Sequence, residues 1–68
     1  MQFQEVEVGE EFCYRYTRYQ KVDIQDKVYK AGNNFTRVVP VNARKVLGDN
    51  TSPIFSFFED IEEVLEVL

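Results

Sequence analysis

The sequence predicts an all-β chain, a single small barrel of about five antiparallel strands spanning residues 1–68. Three observations point there. Runs of β-branched and aromatic residues of strand length fill most of the chain. Breakers separate them: Gly9, the Gly32-Asn33-Asn34 cluster, Pro40, and the run from Gly48 to Pro53. There is no internal repeat, linker or low-complexity tract to suggest a second unit. A chain of 68 residues buries only about 60% of its unfolded surface, so stability is marginal without a disulfide, a metal or self-association. Cys13 is the only cysteine and histidine is absent. An intrachain bridge is therefore impossible, and no Cys/His zinc set can be assembled. Of the three aids, self-association into a homo-oligomer remains.

The elements follow in order. Phe3 to Val8 reads as a first strand, with Phe3 out of phase with Val6 and Val8, which a bend or bulge near Gln4 would reconcile. Phe12, Tyr14 and Tyr16 alternate against Cys13, Arg15 and Thr17, the period of a half-buried strand. Val22, Ile24 and Val28 continue a second hairpin arm. The stretch from Asp23 to Asn34 reads as a connection longer than a plain hairpin turn, with Tyr29 flanked by Lys27 and Lys30. Phe35 to Leu47 holds too many β-branched residues, and a central Pro40, to be helical. Proline cannot donate to a ladder, so Pro40 puts this strand at an edge, at a bulge, or broken in two. Ile54 to Phe58 is apolar on both faces and should be central in the sheet or covered by a partner. At the C-terminus, Ile61, Val64, Leu65 and Leu68 fit a helical stripe, with Asp60 and Glu63 as a capping pair. Such a helix would be very short, and the favoured reading is a turn at Glu59 to Glu62 followed by a closing strand.

Charge is segregated along the chain. All eight basic residues lie between Arg15 and Lys45, opposed there only by Asp23 and Asp26, while the other ten carboxylates lie outside that segment. In a small barrel whose first and last strands are neighbours, this split gives an acidic side and a basic side, which serves either salt bridging or an anionic ligand. The residue inventory argues against catalysis. Without histidine the Ser/His and Cys/His pairs are unavailable, Cys13 reads as an inert structural thiol, and the acidic runs at turns read as solvated charge rather than a metal or acid/base site. No phosphate-binding glycine motif is present. The expectation is a non-enzymatic protein needing no cofactor and no metal. The N-terminus shows no leader pattern, and no stretch approaches the ~18 apolar residues of a membrane span. A soluble protein follows, and its two glycosylation sequons, at Asn34 and Asn50, read as chance.

Val8-Gly9-Glu10-x-Phe12, then Tyr19-x-Lys21-Val22, then Val41-Asn42-Ala43, and finally Phe57 or Phe58 with acidic residues before Val64, resemble a pattern in small uncharacterised β-barrel proteins. These are encoded by bacteriophages and bacteria, cyanobacteria included, and carry a Src-homology-like (SH3-like) barrel. The resemblance implies an SH3-like fold, a bacterial host cell and a cytoplasmic location. This chain departs from the pattern at the hairpin turn, where Arg15-Tyr16 stands in place of a glycine-containing pair. Bulky residues are costly at positive φ, so either the turn type differs or the turn is displaced to Tyr16-Thr17-Arg18.

Phe12 and Tyr14 read as core, and Tyr19 as core or sheet surface. The candidates for contact with a partner or ligand are Arg15, Tyr16, Arg18, Lys21, Tyr29, Arg44 and Lys45, because aromatic faces stack and guanidinium forks pair with phosphate or carboxylate. Three functions use such residues. The first is a module docking on a host protein through an aromatic and basic hairpin, as a phage accessory protein would. The second is a homo-oligomer that sequesters a nucleotide, a small anion that fits within the basic side. The third, a barrel for single-stranded nucleic acid, is disfavoured because ten terminal carboxylates repel a long polyanion.

Overall fold

The computed structural model describes residues 1–32, 34–48 and 50–67, the side chains of Asn50 and Thr51 excepted. Five antiparallel strands form one sheet: β1 (Glu11–Tyr14), β2 (Thr17–Ala31), β3 (Phe35–Leu47), β4 (Asn50–Ser56) and β5 (Leu65–Glu66), in the spatial order β4-β3-β2-β1-β5. The sheet is open, with β4 and β5 as its two edges. A closed barrel would require these to pair, and among the described residues β5, two residues long, pairs only with β1.

The first segment corrects the sequence reading. Phe3–Glu5 is a turn of 3₁₀-helix, not a strand. In a 3₁₀ turn positions i and i+3 eclipse, so Phe3 and Val6 enter the core together, and the phase conflict with Val8, which is exposed, disappears. The β1–β2 hairpin holds a second correction. Tyr14 pairs with Thr17, which leaves Arg15 and Tyr16 as a two-residue loop with φ of 50° and 66°. The turn is not displaced. It keeps the backbone that normally calls for Asn-Gly and places two bulky residues in it.

The core is aromatic. Phe3, Val6, Phe12, Ala43, Phe58 and Val64 are buried together, with Tyr14 and Tyr19 packed against them. The Phe58 ring lies 5.1–5.4 Å from those of Phe3, Phe12, Tyr14 and Tyr19, mostly edge to face, the geometry favoured by ring quadrupoles. Two polar side chains complete it. Asn42, buried, donates from Nδ2 to the Phe58 carbonyl and accepts the Phe58 N–H at Oδ1, both at 2.8 Å. It stands in for a neighbouring strand just where the chain leaves β4. Lys21 donates from Nζ to the Phe3 and Val6 carbonyls (3.1 and 2.7 Å), with its ammonium 4.4 Å from the Phe3 ring centre. The N- and C-terminal segments then close over the core through Phe3 N–H to Glu62 C=O and Val64 N–H to Met1 C=O, each 2.8 Å.

Three further readings are settled here. The C-terminal segment is a turn at Asp60 and Ile61 followed by a strand, as favoured over the helix, with Leu68 outside the described residues. Val64 is buried between exposed Ile61 and Leu65, so the helical stripe is not used. The stretch from Asp23 is not a connection, because β2 continues through it to Ala31. Beyond Lys21↔Ala43 the β2–β3 register slips, with Val22–Ile24 set against Asn42 alone, and pairing resumes from Gln25↔Val41 to Ala31↔Phe35. Finally, β4 is an edge strand rather than a central one.

Candidate functional site

The ladder lengths shape the surface. On one side β2 is paired by β1 only from Thr17 to Gln20; on the other, β3 is paired by β4 only from Ala43 to Leu47. Gln25–Ala31 and Phe35–Val41 therefore form a two-stranded arm with no strand beside it on either edge among the described residues. Pro40 lies within this part of β3, consistent with the rule that proline occupies open edges.

The sequence candidates do not form one site. Arg15, Tyr16, Arg18 and Lys45 gather at the β1–β2 turn, next to the end of the β3–β4 hairpin. There Tyr16 is wholly exposed (107%), and the Arg15 guanidinium lies 5.2 Å from the Tyr14 ring centre. Arg18 is engaged: its Nε meets the Glu11 carboxylate at 2.8 Å, and a terminal nitrogen donates to the Gly48 carbonyl at 3.0 Å. Lys45 borders a shallow recess with Tyr16, Arg18 and Leu47. Lys21 holds the Phe3–Val6 turn, as described, and does not belong with them. Below the turn, the Tyr14 hydroxyl is hydrogen-bonded to the Glu62 carboxylate. That bond first, and burial second, hold its pKa above the usual value.

Tyr29 and Arg44 belong to a different place. The thirteen residues from Tyr16 to Tyr29 put the two tyrosines on the order of 40 Å apart along β2. Tyr29 pairs directly with Arg37 across the arm. Together with Phe35, Val39, Phe55 and Phe57 these residues line a groove of about 470 Å³ between the arm and β4. Phe55 is gripped by cations, with Lys27 Nζ 4.2 Å and Arg44 Cζ 5.3 Å from its ring centre, distances at which an aromatic quadrupole attracts charge. Among the described residues no carboxylate lines the groove.

Sequence reasoning missed Phe35, Arg37 and Phe55 as parts of this surface. The signal was present. Pairing of Ala31 with Phe35 sets Tyr29 opposite Arg37, but reading Asp23 to Asn34 as a connection hid it. Among the described residues no group of three or more Asp, Glu or Cys side chains is placed to hold a metal ion, and no helix is long and apolar enough to cross a membrane. In comparisons with known protein families, curated proteins and solved structures, nothing matches the chain.

Proposed function

We propose that the protein is a non-enzymatic binding module, an SH3-like sheet that docks on another protein through the β2–β3 arm. One observation carries this reading. The segment Ile54 to Phe58, apolar on both faces, should be central or covered, yet β4, which carries its first half, sits at the sheet edge with Ile54 half exposed (50%) and Phe57, just past the strand, at 43%, beside an arm that also exposes Val28, Phe35 and Val38. Alternation puts Phe35 and Phe57 on the groove face and Val28, Val38 and Ile54 on the other, and apolar side chains left open beside a sheet edge mark a binding surface. The arm is a basic and aromatic hairpin of the kind expected from the sequence, although it is the second hairpin rather than the first. A phage accessory protein acting on a bacterial host protein in the cytoplasm fits this reading. The SH3-like description draws support from the way the terminal segments fold over one face of the sheet and from the Asn42–Phe58 pairing, which bends the chain away from β4 across the core.

The test replaces Asp26–Pro40 by Asn-Gly, a two-residue turn that rejoins the paired residues Gln25 and Val41. The unmodified chain should retain a specific, stoichiometric protein from bacterial lysate, and the armless variant should lose it while still folding. A lysate that yields no such protein, or one retained equally by both chains, overturns the proposal.

A second reading has its own observation. Arg15 and Tyr16 occupy a strained backbone and offer an uncovered aromatic ring on Tyr16 and a guanidinium on the residue before it, the components of a nucleotide-stacking site. A homo-oligomer sequestering a nucleotide would use them. Native mass spectrometry of gently purified protein separates the readings, since an oligomer carrying a nucleotide-sized mass per site, lost on Arg15→Ala, supports the second and a bare chain sets it aside.

A further inference from the structure

We propose that the groove between the arm and β4 receives an acidic, extended segment of the partner protein, laid along the open β3 edge at Phe35–Val41. The inference rests on the binding-module reading and specifies its partner. Three independent features converge on this occupant.

The first is the open ladder. β4 pairs with β3 no farther than Ala43, so Phe35 to Val41 have a strand neighbour on the β2 side only. An unpaired edge recruits an extended chain by main-chain hydrogen bonds, and side chains of alternate residues then fall on one face. Seven residues of such a chain span about 23 Å, the length of the arm. The second is the groove itself. Its wall is built from Phe35, Val39, Phe55 and Phe57, so alternate side chains entering it must be apolar.

The third is charge. Arg37 lines the groove, while Lys27 and Arg44 sit over Phe55 at its side, and no carboxylate is among the lining residues. The chain as a whole is acidic, at −4, yet its carboxylates are concentrated on the terminal segments, away from the arm. Complementary potential then selects a segment in which acidic residues alternate with apolar ones. The same feature disfavours a second arm as occupant, because Lys27, Lys30 and Arg37 would face their own copies.

The experiment selects a displayed library of random peptides on the intact protein, so that no single sequence is presupposed. Enriched peptides should carry Asp or Glu at alternate positions between apolar residues. Their affinity, followed by fluorescence anisotropy, should fall about tenfold with Arg37→Glu. It should weaken in high salt and be unchanged by Tyr16→Gly. Amide shifts on binding should concentrate on Phe35–Val41 and Phe55–Phe57. Lys27→Glu, an independent change at a half-buried position on the other strand of the arm, should act in the same direction, which guards against a local defect in either variant. Enrichment of basic or neutral peptides, no enrichment, or affinity indifferent to both charge reversals overturns the proposal. So does sedimentation showing a second copy seated in the groove. Peptides that bind at the Arg15–Tyr16 turn instead would defeat this inference while leaving the protein a binding module, and the armless lysate experiment tests that broader reading separately.

Discussion

Tyr16 costs the fold something and gives nothing back to it. A bulky residue in the left-handed region costs about 1–2 kcal/mol, two of them stand side by side, and the Tyr16 ring has no packing to compensate. Replacing the pair by Asn-Gly should stabilise the chain by about 1 kcal/mol after the entropy of glycine is set against the relief, which a urea unfolding midpoint would register. Asn42 is the opposite case. It satisfies both backbone groups of Phe58 from a buried site, so Asn42→Ala should destabilise by about 2–3 kcal/mol, and Asn42→Leu, apolar and larger, should not rescue it. Nothing in the sequence marks this role, since asparagine within a strand-like run reads as an ordinary polar residue on the outer face. Tyr14 supplies a pH dependence. Its folded pKa is raised by the bond to Glu62, so the neutral phenol is favoured by folding. Its contribution is present in full below the unfolded value of about 10 and is lost as pH rises through the folded value. Alkaline unfolding followed by tyrosinate absorbance should therefore show a step that Tyr14→Phe removes.

At the level of elements, the sequence made the strands legible because β-branched and aromatic runs have few other uses in a chain this short. It also made the first strand of the first hairpin legible, by the alternation of Phe12 and Tyr14, although Tyr16, read as continuing it, lies in the turn. Less legible were the 3₁₀ turn at Phe3, where spacing by three mimics a strand with a fault, and the reach of β2. The residues from Asp23 to Lys30 mix charge with apolar groups and look like a connection because neither face is buried. A strand exposed on both faces has no hydrophobic period to display. The same exposure sets its dynamics, since local opening is easiest where backbone hydrogen bonds lack neighbours and packing. Hydrogen exchange should be fast at Gln25–Ala31 and Phe35–Val39 and slow at Phe12 and Tyr19, with the arm gaining protection when a partner is bound. Uniform protection along the whole of β2 would show that the arm is anchored by something other than the register described.

For the molecule as a whole, elongation sets an arm with three cations and one carboxylate apart from a body that holds the other five cations and eleven carboxylates. The radius of gyration is 13.0 Å against about 11 Å for a compact domain of this length, and the longest dimension is 44 Å against 26 and 19 Å across. The sequence foretold the charge half of this, through eight cations confined between Arg15 and Lys45, but not the shape that carries some of them outward. A pronounced dipole should follow. Despite a pI near 4.6, the protein should be retarded on a cation exchanger at neutral pH and low salt, and a Lys27, Lys30, Arg37→Gln triple variant should flow through. With a Debye length of about 10 Å at 0.1 M salt, the arm's field is felt separately from that of the acidic body, so arm-first encounter with an acidic partner should slow as ionic strength rises.

The closing of the core by residues at opposite ends of the sequence has a consequence for the protein's synthesis. Phe3 and Phe12 find their ring partner in Phe58, and Met1 and Val64 bond to one another. A ribosome delivers the first of these segments well before the second. The hairpin of β2 and β3, whose pairing is local, emerges complete while the platform beneath it is still missing its central ring. Until residues 58–66 leave the exit tunnel, the nascent chain presents its most adhesive ribbon with no folded body behind it.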